Sequence, residues 1–155
     1  QARLTEGLPL ILGDATQLRQ VVHNLVQNAL DAVAEQADGW VRVSTSAALG
    51  ESGELRAVRL SIVDNGPGFA DKVLHRAFEP YVTTKSKGTG LGLAVVKKIA
   101  DEHRATVRIA NLHDAGADDV AATPVRGARV SLSFSSFVTA HGPAAAGGGT
   151  STQAH

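Results

Sequence analysis

Between residues 16 and 34 the apolar positions recur at helical spacing. Leu18, Val21, Val22, Leu25, Val26, Ala29, Leu30 and Val33 form one broad stripe. The pattern predicts an amphipathic helix, with Asp14 or Thr16 as N-cap and Gly39 just beyond its end. The period then changes to two. Residues 40–46 and 56–64 read as strands joined by the turn "LGESGE". In the second strand Val58, Leu60, Ile62 and Asp64 share a face, so a carboxylate ends a row of core-facing residues. A second helix is expected from 91 to about 103, with Leu93, Val96, Ile99 and Ala100 inward. Residues 106–110 and 128–134 read as two more strands, and 10–12 as a short edge strand. The stretch 111–127 between the last two strands is polar and irregular. From Val138 onward the chain is low-complexity and expected to be disordered, leaving a folded domain at 1–137 and a tail at 138–155. This order predicts an α/β two-layer sandwich: a mixed, mostly antiparallel sheet of about five strands with helices packed on one face.

Composition narrows the class. A chain of 155 residues, 43% hydrophobic, can bury a core, and with 4% aromatics that core must be aliphatic. The formal net charge is zero, which argues against a nucleic-acid binder driven by bulk charge and leaves room for a local basic patch. There is no cysteine, hence no disulfide or thiolate metal site. Neither a signal peptide nor a bilayer-spanning apolar run is evident. The chain begins at Gln1 and has no Met, which reads as a piece of a longer protein.

Four clusters carry candidate chemistry. In "QVVHNLVQNALDA", Gln20, Asn24 and Asn28 stack along one helix edge with Asp31 nearby. They are either a solvated polar face or a site for a hard cation, since an amide oxygen is a suitable Mg²⁺ ligand. In "DNGPGF", Asp64 is followed by Gly66 and Gly68, which is either an ordinary turn or a backbone that lets a flat ligand approach a carboxylate. The exocyclic amine of adenine would give that buried carboxylate a donor. In "FEPYVTTK", Phe78 and Tyr81 can pin a surface loop, and Thr83, Thr84, Lys85 and Lys87 can either meet phosphates or stay solvated. "GTGLGL", from Gly88 to Leu93, opens the second helix, where backbone N–H groups attract anions. It is neither a P-loop nor a dinucleotide fingerprint.

Together, in this order and on these elements, the clusters resemble the ATP-binding catalytic domain of sensor histidine kinases. That family belongs to a superfamily shared with gyrase-type, mismatch-repair and heat-shock ATPases. The likeness covers roughly residues 8–134, and "FEPYVTTKSKGTGLGLAVVKKI" is most similar to the nitrogen-regulation branch. The resemblance implies the Bergerat sandwich, with ATP and Mg²⁺ as cofactors. It implies that Asp64 accepts from the adenine amino group, that Gly66 and Gly68 shape the pocket floor, and that Asn28 ligates Mg²⁺ with Asn24 near the phosphates. Residues 69–89 would form an ATP lid, anchored by Phe78 and carrying Thr83, Thr84, Lys85 and Lys87. Gly88, Thr89, Gly90, Leu91 and Gly92 would wrap the triphosphate. Asn24, Lys85 and Lys87 are the candidate catalytic residues, either lysine neutralising phosphate charge.

Hydrolysing relatives carry a Glu where this chain has Asn24, and Asn is no general base. Very slow hydrolysis is therefore expected, with the γ-phosphoryl group passed to a protein side chain. The expected acceptor is a His on a dimerisation hairpin outside this sequence. None of the six His here fits that role: only His113 precedes an acidic residue, and it falls in a predicted loop. His23, in the asparagine box, suits packing or support of the site residues beside it, His75 and His103 read as ordinary helix or surface residues, and His141 and His155 fall in the tail. The implied partners are the hairpin and a response regulator, with no nucleic acid and no direct membrane contact. The piece alone would be monomeric and unable to label itself. The full-length protein would be a homodimer, with this domain in the cytoplasm whether or not the whole is anchored in the inner membrane. Alternatives are a protein-serine kinase of the anti-sigma-factor type on the same fold, or a degenerate nucleotide-binding module. The sequence departs from the family at Asp31, where a basic residue is common, and at Ala128, where a Thr is common. Its 111–127 stretch is also longer and more acidic than nucleotide binding requires.

Overall fold

The computed structural model describes residues 1–76, 78, 92–114, 123–139 and 142–144. Helix α1 spans Ala15–Val33. Asp14 settles the choice of N-cap: its backbone is extended and its carboxylate accepts from the Gln17 N–H at 3.0 Å. Val21, Leu25, Ala29 and Val33 are the buried stripe. Val22 and Leu30 are 37% and 47% exposed, so the predicted apolar face is broader than the buried one. The outer part, with Ala15, Leu18, Val22 and Val26, lines a shallow groove that also holds Arg19 and His23.

Strands β1 (Ala2–Arg3), β2 (Val41–Leu49), β3 (Leu55–Asp64), β4 (Ala105–His113) and β5 (Val125–Phe134) form a five-stranded sheet in the order β1-β2-β3-β5-β4. β1 runs parallel to β2, and all other neighbours are antiparallel. Helix α2 spans Asp71–Arg76 and α3 spans Gly92–Glu102. A hairpin of β6 (Phe137–Thr139) and β7 (Gly142–Ala144) follows β5. One apolar core forms where α1 and α3 lie on the sheet. Val21, Leu25, Val96 and Ile99 meet Ile62, Val130, Leu132 and Phe134. This is the expected two-layer sandwich with helices on one face.

The departures have local causes. The edge strand is β1, not residues 10–12. Pro9 and Gly13 bracket those residues, Leu10 is 77% exposed, and Ile11 makes only a single bridge, to Phe137. The 10–12 segment bonds toward 136–138 instead (Leu12 N–H to Ser136 O, 3.0 Å; Val138 N–H to Leu10 O, 2.7 Å). Strand β6, which opens at Phe137, runs past Val138, and Gly142–Ala144 pairs with it, so strand structure continues into the stretch read as a low-complexity tail. The predicted 111–127 loop is shorter, because the β4–β5 ladder continues through Asn111, Leu112 and His113 past a bulge. α2 was hidden in the glycine-rich stretch. Asp71 in its first turn and His75 and Arg76 in its last complement the helix dipole.

His103 is not an ordinary surface residue; it is 8% exposed. Its Nε2 accepts from the Asp14 N–H at 2.9 Å, and its Nδ1 lies 2.7 Å from the Ile99 carbonyl. It thus carries its proton on Nδ1 and ties the end of α3 to the cap of α1. A Cβ on Gly13 would overlap the His103 ring, which explains the glycine before the cap. No described helix is long and apolar enough to cross a membrane.

Leu132 is fully buried at the centre of the core. Leu132→Ala is expected to cost about 2–5 kcal/mol, read as a lowered urea midpoint with unchanged slope.

Candidate functional site

The site is built at one end of β3. Side-chain alternation carries the buried row Val58, Ile62 and Asp64 to the strand's last residue, and Asp64 is 6% exposed. Its Oδ1 accepts from the Gly66 N–H at 2.8 Å. Burial pushes its carboxyl above the usual range, opposed by the backbone N–H groups of Gly66 and Ala128. A carboxylate has more acceptor capacity than these donors use, so Asp64 can take a further donor from a ligand.

Small residues bring backbone close to this group. A Cβ on Gly66 would lie 2.9 Å from Asp64 Oδ1 and 3.0 Å from the Ala32 carbonyl. Gly127, at φ +154°, leaves no room for a side chain against the Asp64 carbonyl. At Gly68, with φ +78°, an added Cβ would overlap Val125 and crowd the Asn111 amide. The loop after Asp64 is thus walled by α1 through Ala32 and by the β4–β5 edge through Asn111.

Asn28 lies one turn before Ala32, half-buried. It faces Gly92, the first residue of α3: a Cβ there would lie 3.5 Å from the Asn28 amide nitrogen and 3.8 Å from its oxygen. The asparagine cluster therefore meets the end of the second glycine cluster at a helix N-terminus. Asn24, also half-buried, is one turn earlier, and Gln20 is exposed. Asp31 is exposed and accepts from Gln27 Nε2 at 2.8 Å. Among the described residues, no group of three or more His, Cys, Asp or Glu could hold a metal ion. A cation here would lean on an amide oxygen, phosphate oxygens and water. Phe78 is half-buried, and Phe69 packs on the core. Tyr81, Thr83, Thr84, Lys85, Lys87, Gly88, Thr89, Gly90 and Leu91 lie outside the described residues, as does most of the 69–89 segment. His23 is exposed rather than packed, and His113 lies on β4 with Nδ1 3.0 Å from the Thr123 carbonyl.

Two asparagines that sequence reasoning gave no role hold the loop at both ends. Asn65 accepts from the Trp40 N–H at 2.7 Å and donates to the Asp38 carbonyl at 2.9 Å. Asn111 accepts from the Phe69 N–H at 2.7 Å and donates back to the Phe69 carbonyl at 2.8 Å. Asn65 carried a weak signal as part of Asp-Asn-Gly. Asn111 carried none, because its partner is 42 residues away.

Residues 13–138 match the family described as histidine kinase-, DNA gyrase B-, and HSP90-like ATPase. The chain is 42% identical over 119 residues to sensor histidine kinase ZraS of Escherichia coli O157:H7, covering 76% of this chain and 24% of that protein. It is 40% identical over 104 residues to a sensor histidine kinase NtrY-like protein of Rickettsia prowazekii, covering 67% and 16%. The chain thus spans a quarter or less of the length of these relatives. Among solved structures, the nucleotide-free catalytic domain of histidine kinase ThkA superposes with a TM-score of 0.65 at 27% identity, covering 86% of this chain and 76% of that one. Full-length ShkA in complex with AMPPNP gives 0.67 at 29% identity, covering 90% and 25%.

Asn111→Ala removes both bonds to the Phe69 peptide. It is expected to cost about 1–3 kcal/mol and to speed amide hydrogen exchange at Phe69 relative to the core strands. Unchanged exchange at Phe69 would show that the two bonds do not restrain the loop.

Proposed function

Because this chain belongs to the histidine kinase-, DNA gyrase B-, and HSP90-like ATPase family, as the ATP-binding catalytic domain of a sensor histidine kinase, we propose that it presents ATP for γ-phosphoryl transfer to a histidine on a dimerisation hairpin of the full-length protein. The phosphoryl group then passes to a response regulator. The full-length protein works as a homodimer with this domain in the cytoplasm, where ATP is. The observation that carries this reading is the buried Asp64 carboxylate set among close-approach glycines, with Asn28 facing Gly92 at the start of α3.

Asp64 accepts from the adenine amino group, and Gly66 keeps the floor flat enough for the ring. Asn28 would hold Mg²⁺ through its amide oxygen, with Asn24 one helical turn earlier. When bound, Mg²⁺ neutralises charge on the phosphate oxygens. Gly92 exposes the N-terminus of α3 toward those oxygens, with Gly88, Thr89, Gly90 and Leu91 before it. Phe78 anchors the lid, Thr83 and Thr84 bond phosphate oxygens, and Lys85 or Lys87 offsets their charge. No general base stands at position 24, so the chain's contribution is positioning and charge stabilisation.

Calorimetric titration with ATP and Mg²⁺ tests the adenine contact. Asp64→Asn removes one charged hydrogen bond, expected to cost about 1.5–3 kcal/mol, or roughly ten- to a hundredfold in affinity. It also removes a charge that the fold buries unfavourably. Burial raises the folded-state pKa, so this carboxylate's contribution to stability falls as pH rises from its ordinary value through the raised one. The variant's thermal stability without nucleotide is therefore expected to hold at neutral pH. Ionised Asp64 is a stronger acceptor for adenine than the neutral acid, so ATP affinity rises with pH through its titration, and the rise is absent in the variant. Equal affinity of parent and variant would overturn the adenine assignment.

Incubated alone with γ-labelled ATP and Mg²⁺, the chain is expected to release phosphate slowly and take up no stable label. Release at the rate of a hydrolysing relative would contradict the kinase reading.

A further inference from the structure

Helices α1 and α3 occupy one face of the sheet, and no described element covers the other. The ladder register fixes which residues stand there. In one row Arg42 and Arg129 flank Val63. In the next, Arg3 and Arg108 flank a floor of Ser44, Ser61 and Ser131. Arg59 stands in the third row, beside Ser133. Five guanidinium groups thus surround three serines, and none of these strand positions is acidic.

Among the described residues no carboxylate neutralises any of these arginines. Arg3, Arg59, Arg108 and Arg129 are exposed. Arg42 is half-buried; its Nε donates to Gln1 Oε1 at 3.1 Å, and its guanidinium lies 4.9 Å from the Trp40 ring centroid. Arg59 Nε donates only to Ser133 Oγ, at 3.3 Å. Ion pairs elsewhere engage Arg56, Lys97 and Arg126, and none among the described residues engages these five. The whole chain has zero formal net charge, so this face concentrates positive charge that is balanced elsewhere. Surfaces that serve only solubility usually intersperse both signs.

We propose that this face docks an acidic surface of a partner protein. Guanidinium forks match carboxylates bidentately, and the serine floor supplies hydroxyls between them. Single-stranded nucleic acid would want several aromatic rings to stack on, and this face offers one at its edge, Trp40, with Arg42 already over one side of it. A membrane surface would want large apolar anchors among the cations, and the Arg42–Arg129 row offers only Val63 and Ala110. Arg3 and Arg108 are four strands apart, about 19 Å at ordinary strand spacing. A patch this small supports a weak, transient, salt-sensitive contact. The proposal does not depend on the ATP reading.

The test is fluorescence anisotropy of a short labelled poly-glutamate peptide with the whole chain. Arg108→Glu/Arg129→Glu is compared with Arg19→Glu/Lys98→Glu, an equal charge change on the helical layer. Circular dichroism checks folding, and ATP affinity should persist in both pairs. The expected result is binding in low salt that weakens with added salt, falls about tenfold or more in the first pair, and changes little in the second. If the first pair does not fold, Arg59→Ser and Arg129→Ser carry the same comparison. Absence of binding, or equal loss in both pairs, would overturn the proposal. So would tighter binding of charge-matched duplex DNA or phosphatidylserine vesicles than of the peptide.

Discussion

The site depends on one constraint: a carboxylate must sit, almost fully buried, at the end of an apolar strand row. Asp64 occupies the core face of β3, between Val41 on β2 and Ala128 on β5. Burial disfavours its charge, and the fold answers with backbone N–H groups rather than a cation. That solution requires backbone to come close, so side chains larger than hydrogen are excluded at Gly66 and Gly127. The carboxylate is left under-supplied with donors, which makes it a receptor for an amine of the right shape. Function and a local instability have the same source.

Around this group the structure divides labour. The α1–α3 contact fixes the distance between Asn28 and the start of the glycine-opened helix, and His103 locks the two helices together at the far end. The loop after Asp64 is held by Asn65 on one side and Asn111 on the other. The proposed lid begins at Phe69, whose peptide is the one that Asn111 grips. A held loop end beside the proposed adenine contact is the arrangement needed if only the segment beyond must close over the triphosphate.

Much of this was legible from periodicity. The four-residue spacing of Val21, Leu25, Ala29 and Val33 and the two-residue spacing of Val58, Leu60, Ile62 and Asp64 gave both elements and the inward carboxylate. The features missed are those in which partners are remote. β1 is two residues long and has no pattern of its own; it exists because β2 offers an edge. The apolar 10–12 segment looked like a strand, yet it bonds residues far along the chain. His103 and Asn111 act through atoms distant in sequence. The arginine array was invisible for another reason. Its members alternate with core residues on five strands, and β5 inserts between β3 and β4 out of chain order.

The central claim is that Asp64 is a buried carboxylate reserved for an adenine donor. It is tested most directly by following its side-chain carboxyl carbon by NMR through a pH titration, with and without ATP. The account predicts a titration above the ordinary carboxylate range in the free protein, moving down when ATP is bound, because the adenine amino group favours the ionised form. An ordinary midpoint that ATP leaves unmoved would contradict it.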